Sequence, residues 1–349
     1  MEPGTSRGIG ELEVIQQLLP EWLAVVFALL TQLGDIWFLA LVFALLYWYN
    51  TPNHDDIAAL AGVWLAGMGL VMGLKEVFGF PRPDRPLLDP DLLPWFVRPV
   101  YETTAFASGY GFPSGHAVNT TIVFVGLAYV LPVGTPRKRY VAAGVLVATV
   151  SFTRLALGVH FLVDVVAGVV VGLSVLVGAR ALVNLRLAEQ TTVSFGLAVA
   201  CGWFFLVASE VDPDAIFVLG ASLGAFGGWQ LVVLGRELVS VSRPSLAVRP
   251  ILVRGGLAAL AFAPLNAALD YFPVLSVYST GGAVGFVAAG ITVVPVLHHS
   301  ERARRAGVAV EFWLRMAGVA VRYLLTPEPW RRAVEFVSSS SVADWVRSR

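Results

Sequence analysis

Ile57–Phe78 reads IAALAGVWLAGMGLVMGLKEVF, with no charged side chain until Lys75 and Glu76 at its far end. A mostly apolar run of that length satisfies the roughly 20 residues that a helix needs to cross the hydrocarbon core. Outward from it the pattern repeats. The other candidate runs are Leu23–Tyr49, Ala117–Val133, Val141–Leu157, Phe161–Leu182, Val193–Ala208, Ala215–Leu234, Ile251–Leu269 and Gly281–Leu297. Lipid offers backbone groups no partner, so such runs are helical and the expected fold class is all-α, a polytopic transmembrane helical bundle with nine crossings. Gly34 and Asp35 interrupt the first run, and the part before them is expected to lie along the membrane surface rather than cross it.

Composition excludes the main alternatives. The 349 residues are 57% hydrophobic and 14% charged, against about 25% charged in ordinary globular chains. Mean hydropathy is +0.74. Disorder requires the opposite balance. A formal net charge of zero gives no basic field for nucleic acid. Cys201 is the single cysteine, so neither an intramolecular disulfide nor a thiolate metal cluster is available.

Arginine placement orients the bundle, because cytoplasmic loops collect Lys and Arg. Arg137, Lys138 and Arg139, then Arg180 and Arg186, then Arg236, Arg243 and Arg249, and finally Arg302, Arg304 and Arg305 mark alternate connections and the C-terminus as cytoplasmic. The connections between them, Glu210–Asp214 and Asp270–Thr280, are acidic or neutral. The outer side nevertheless carries Lys75, Arg82, Arg85, Arg98 and Arg154. Cations against the bias indicate an anionic ligand, or else juxtamembrane charges facing headgroups.

Three stretches carry chemistry. In Lys75–Pro83 a lysine closes a helix and an arginine follows after a Gly-Phe-Pro turn. A point charge and a planar fork together suit phosphate, although a lysine at a helix end also serves as a snorkelling anchor. Gly111-Phe-Pro-Ser114-Gly115-His116 opens a helix with free amides, a ready anion site, beside a histidine able to move protons. It also reads as a plain capped start. In Thr153-Arg154 through His160 to Asp164, the i, i+4 spacing lets the carboxylate hold one imidazole nitrogen and leave the other as a nucleophile. A structural His–Asp pair has the same spacing. No third histidine or carboxylate cluster accompanies these residues, so neither metal nor other cofactor is expected.

Taken together, Lys75-x6-Arg82-Pro83, Pro113-Ser114-Gly115-His116 and Arg154-x5-His160-x3-Asp164 resemble the signature of the type 2 phosphatidic acid phosphatase (PAP2) superfamily, with Thr153 where a serine is usual. The resemblance implies a metal-independent, vanadate-sensitive membrane enzyme acting on a lipid phosphate. In it, His160 attacks phosphorus, Asp164 holds its ring, and His116 protonates the leaving oxygen. Lys75, Arg82, Ser114, Gly115 and Arg154 hold the phosphate. A phosphatase acting on a lipid monoester or diphosphate through a phosphohistidine, with its site on the extracytoplasmic face, is therefore expected. An inactive lipid-binding relative or a transporter on the same scaffold is the alternative. Glu102, Thr103 and Thr104 are candidates for headgroup choice.

The expected organisation is an outer or interfacial segment at 1–22, a PAP2-like catalytic core at 23–187, a further four-helix transmembrane region at 188–299, and a cytoplasmic basic amphipathic tail at 300–349. Glycines such as Gly220, Gly224, Gly227 and Gly228 are read as helix-packing positions. Expected partners are the bilayer and a lipid phosphate, with no nucleic acid. No feature of the sequence specifies an oligomeric state.

Overall fold

The structure, a computed structural model, describes residues 7–49, 53–83, 86–93, 95, 98–105, 108–241 and 244–299. Among them every regular element is helical. The basic tail at 300–349 and Arg85 lie outside the described residues. Up to Pro295 the chain packs as one compact unit.

The N-terminal helices are α1 (Glu11–Leu18), α2 (Leu23–Thr31), α3 (Ile36–Tyr49) and α4 (His54–Phe78). After α5 (Arg98–Ala105) come α6 (Gly115–Thr120), a π-helical turn at Thr121–Val125 and α7 (Gly126–Val130). Two long helices follow, α8 (Pro136–Ala156) and α9 (Leu162–Asn184). The remainder is α10 (Gln190–Ala208), α11 (Pro213–Ser240), α12 (Pro244–Pro250), α13 (Gly256–Tyr271) and α14 (Val277–His299).

Local chemistry sets the ends. Asp55 and Asp56 occupy the first turn of α4 and Lys75 its last, each matching the helix dipole. Gly79 then takes a left-handed conformation and its N–H reaches the Lys75 carbonyl at 2.9 Å. Proline opens both α8 and α11, behind the capping side chains of Thr135 and Asp212. Glu189 caps α10 through the amides of Thr191 and Thr192 and also accepts from the Trp229 indole.

Among the described residues, six helices are long and apolar enough to cross a membrane: His54–Phe78, Leu162–Asn184, Gln190–Ala208, Pro213–Ser240, Ser245–Tyr271 and Val277–Val296. The nine-run expectation differs in the N-terminal half. The first run is broken, with a 3-10 turn at Gln32–Gly34 and a new helix from Ile36. Helix α1 and Leu23–Gly34 also form a pair bent by 119°. The third run is only Gly115–Val130, stopped two residues before Pro132, which cannot continue a helix. The fourth begins with Arg137, Lys138 and Arg139. The eighth carries Arg254, whose guanidinium donates to Glu237 at 3.1 Å and to the buried Gln230 at 3.1 Å.

Helix α4 is the axis of the bundle, with most of its side chains buried. Its glycines let α10 approach closely. A Cβ on Gly62 would meet the Phe195 amide at 2.9 Å, and one on Gly69 the Cys201 backbone at 2.7 Å. The same device joins α11 to α14, where Gly220 lies against Gly281, Gly224 against Gly285 and Gly228 against Ala289. Small residues let helices gain dispersion contact where lipid provides no hydrophobic drive. Gly224→Val should therefore cost at least the ~1–3 kcal/mol of an overpacked core. A thermal melt of the detergent-purified protein, showing a lower Tm, checks this.

Candidate active site

Four helix ends meet at one place: the C-terminal turn of α4, the start of α6, the last turn of α8 and the start of α9. Backbone contacts hold them in register. The Ser114 amide donates to the Asp164 carbonyl at 2.9 Å, and the Gly111 amide to the Phe80 carbonyl at 2.7 Å. A Cβ on Gly168 would sit 2.6 Å from the Ser114 carbonyl, so only glycine lets α9 lie this close to the Pro-Ser-Gly-His turn. A left-handed Gly158 and the Val159 amide, bonded to the Arg154 carbonyl at 3.2 Å, turn the chain from α8 toward His160.

These ends enclose a cavity of about 190 Å³ lined by Lys75, Arg82, Gly115, His116, Arg154 and His160, together with Asp35, Asn119 and Thr104. Met68, Val71 and Met72 of α4 form an apolar side. Lys75 is 9% exposed, Arg154 2% and His160 1%. The Lys75 ammonium lies 3.8 Å from where a Gly115 Cβ would stand. Ser114, the N-cap residue of α6, is wholly buried. Among the described residues, its hydroxyl and the Arg154 Nε find no hydrogen-bond partner. Buried polar groups are nearly always satisfied, so this pair marks a place built for something with oxygens.

Arg82 reaches the site from the loop after α4. Its Nη1 contacts His160 Nε2 at 3.0 Å and the Val159 carbonyl at 3.2 Å, while Nε bonds the Ser108 and Gly109 carbonyls. A guanidinium only donates, so Nε2 carries a lone pair and the ring proton sits on Nδ1. Nδ1 faces Asp164, with Oδ2 at 3.5 Å. Burial, followed by the Arg82, Arg154, Lys75 and His116 charges, holds the His160 imidazole well below its ordinary pKa. A depressed value keeps the ring neutral, with its lone pair available, down to a pH well below the usual histidine range.

The expected i, i+4 pair on one helix face is corrected here. His160 lies in the turn before α9, and Asp164 is the third residue of that helix. There the carboxylate accepts from the Phe161 amide at 3.0 Å, closing the helix start. It is also shared with Arg7, which sequence reasoning missed. Arg7 Nε donates to Oδ1 at 3.1 Å and Nη2 to Oδ2 at 3.3 Å, with a further bond from Nη2 to the Pro81 carbonyl. The guanidinium lies over the rings of Phe80, Phe112 and Phe161.

Two more side chains come from the broken first run. Thr31 accepts a 3.1 Å bond from Arg154 Nη1, and Asp35 Oδ1 lies 2.9 Å from His116 Nε2, off the line of a good hydrogen bond. Asp35 had a signal in the sequence, an ionisable residue inside an apolar run. Arg7 had none.

Of the other expected cations, Arg98 is partnered elsewhere, with Asp91 at 2.6 Å and Glu102 at 2.7 Å. Glu102 is spent in that pair, Thr104 lines the cavity, and the Thr103 side chain lies outside the described residues. The loop is pinned by Tyr101, fully buried, whose hydroxyl both donates to and accepts from the Leu88 backbone at 2.9 Å.

Residues 56–188 match the family described as PAP2 superfamily. Phosphatidylglycerophosphatase B of Bacillus subtilis is 39% identical over 113 residues, 30% of this chain and 53% of that protein. Sphingosine-1-phosphate phosphatase 1 of Mus musculus is 25% identical over 244 residues, 65% of this chain and 52% of that one. The undecaprenyl-diphosphatase of Sulfolobus acidocaldarius is 35% identical over 77 residues, 22% of this chain and 35% of that protein. The chain thus spans about half the length of the first two relatives. No solved structure matches.

Arg7→Ala removes two charge-assisted bonds from a buried carboxylate and should destabilise the protein by about 1.5–3 kcal/mol. Equilibrium unfolding of the variant beside wild type reads this directly.

Proposed function

We propose that this chain, a member of the PAP2 superfamily through residues 56–188, is a membrane phosphatase that removes phosphate from a lipid phosphate or lipid diphosphate. The observation that carries the reading is the cavity of about 190 Å³ with the buried Lys75 and Arg154, the half-buried Arg82, an amide-bearing helix start and a neutral imidazole on its wall. That volume suits a phosphoryl headgroup and not a whole lipid, whose tail would stay in the bilayer. The names of the relatives cover several headgroups but have a phosphate-terminated lipid in common, and that is the substrate class proposed.

In the proposed reaction, His160 Nε2 attacks phosphorus as the bond to the leaving oxygen breaks. His116 gives its proton to that oxygen, and the lipid alcohol, or the lipid monophosphate when a diphosphate is cleaved, departs. Asp164 holds the Nδ1 proton and steadies the charge that builds on the ring. Water then attacks the phosphohistidine and loses a proton to His116, the P–N bond breaks and inorganic phosphate leaves. Lys75, Arg82, Arg154, the Gly115 amide and the Ser114 hydroxyl would take the three equatorial oxygens, whose charge is highest in the transition state. The site begins with more buried positive than negative charge, which favours a dianion entering it.

Sidedness is part of the proposal. Arg154 lies at the opposite end of α8 from Arg137, Lys138 and Arg139. If that basic end is cytoplasmic, the site is extracytoplasmic. The division into a catalytic core at 23–187, an accessory helical region at 188–299 and a cytoplasmic tail is proposed on the same footing.

Incubation with a lipid phosphate labelled at phosphorus, followed by alkaline quenching, should leave an acid-labile, base-stable label on the protein. His160→Ala should carry none and release no phosphate, while His116→Ala should turn over on the order of 10²–10⁴-fold more slowly. Phosphate release that survives His160→Ala overturns the assignment. In a Cys201→Ala background, Asp91→Cys should react in intact cells with a membrane-impermeant maleimide and Arg137→Cys only after permeabilisation.

A further inference from the structure

The established family motifs leave Asp35 without a task, yet it stands nearer to a proposed proton-carrying group than any other carboxylate described. It lies just after the 3-10 turn that breaks the first apolar run, in a segment with no other charged side chain from Leu23 to Tyr49. A carboxylate there is costly unless it is used.

Three observations place it. Asp35 Oδ1 is 2.9 Å from His116 Nε2. Gly34 beside it is needed for the approach, since a Cβ there would meet the Val150 side chain at 2.8 Å and His116 Cδ2 at 3.0 Å. Thr31, one turn earlier, is bonded to Arg154 and docks the segment onto the cation cluster. The break is therefore held against the site from both sides, and Asp35 lines the same cavity as His160 and Lys75.

We propose that Asp35 is a positioning residue for His116, making a second imidazole–carboxylate pair whose task is delivery of the proton to the leaving lipid oxygen. This rests on the phosphatase reading above. A carboxylate at ion-pair distance from Nε2, though off the line of a good hydrogen bond as it stands, would align with a protonated ring and leave Nδ1 as the nitrogen that gives up its proton. In the first step the P–O bond breaks while the Nδ1–H proton moves to the alkoxide oxygen, and the proton on Nε2 stays beside Asp35. In the second step water returns a proton to Nδ1 as it attacks the phosphohistidine. Asp35 also supplies negative charge beside His116 that offsets its neighbours Lys75 and Arg154, both of which disfavour a protonated ring. The two carboxylates then divide the labour: Asp164 serves the nucleophile, Asp35 the acid.

The test exploits leaving-group chemistry. A phenolate leaves without a proton, whereas an alkoxide needs one. Initial rates are measured with p-nitrophenyl phosphate and with a short-chain phosphatidic acid in detergent, using wild type, Asp35→Asn, Asp35→Ala, Thr31→Val and His116→Ala. Asp35→Asn and Asp35→Ala should lose kcat/KM on the alkyl ester by on the order of 10²-fold and far less on the aryl ester. Thr31→Val, which removes a hydrogen bond from the phosphate-holding Arg154 and leaves the Asp35 carboxylate in place, should lower both substrates by one common factor. In a His116→Ala background, adding Asp35→Asn should change the ratio of the two rates little.

Equal losses on both substrates in the Asp35 variants overturn the proposal, as does a further selective loss when His116 is already absent. Should Asp35→Asn fail to fold, Asp35→Ala reads the same ratio. Failure of the phosphatase reading is seen separately, as an inactive wild type or as a His160→Ala variant that still turns over.

Discussion

Two cations with almost no access to water, Lys75 and Arg154, beside a half-buried Arg82, are the constraint around which this molecule is arranged. Moving such groups out of water is expensive, and proximity to one another makes it more so. Hydrogen bonds to carbonyls and to Thr31 satisfy part of the cluster, and Asp164 and Asp35 supply part of the counter-charge. The remainder is left positive. On the proposed reading an anion would complete this balance, and the helix ends around the cavity hold the cations in place.

That demand accounts for the irregular N-terminal half. The helices from α9 onward that can span are long, and α11 packs on α14 through glycine against glycine. Before α4 the chain is instead bent and broken, and the break at Gln32–Gly34 falls where Thr31 and Asp35 reach the site. Irregular backbone at membrane depth is tolerated only where protein or a cavity surrounds it. Here both do.

The helical bundle and the principal site side chains were legible in the sequence because each has a local signature. Apolar runs announce spans, and Lys-x6-Arg-Pro, Pro-Ser-Gly-His and Arg-x5-His-x3-Asp announce themselves by spacing. What spacing could not give was the second layer. Arg7 lies 157 positions from Asp164, and nothing near it in the chain specifies that partner. Asp35 was visible as an interruption but not as a neighbour of His116, since the 81 positions between them carry no periodicity that couples them. Hydropathy counts apolar residues and is blind to where the backbone turns, so the shortness of the third helix and the bend in the first run were not legible in it.

The contact between the Arg82 guanidinium and the lone pair of His160 carries a consequence for selectivity in time. An imidazole kept neutral and bare would react with any electrophile that drifted into the pocket. With a guanidinium capping its only free nitrogen, the ring is chemically silent. In the proposed reaction the group that lifts this cap has oxygens that the guanidinium prefers to nitrogen, so the headgroup itself would arm the imidazole.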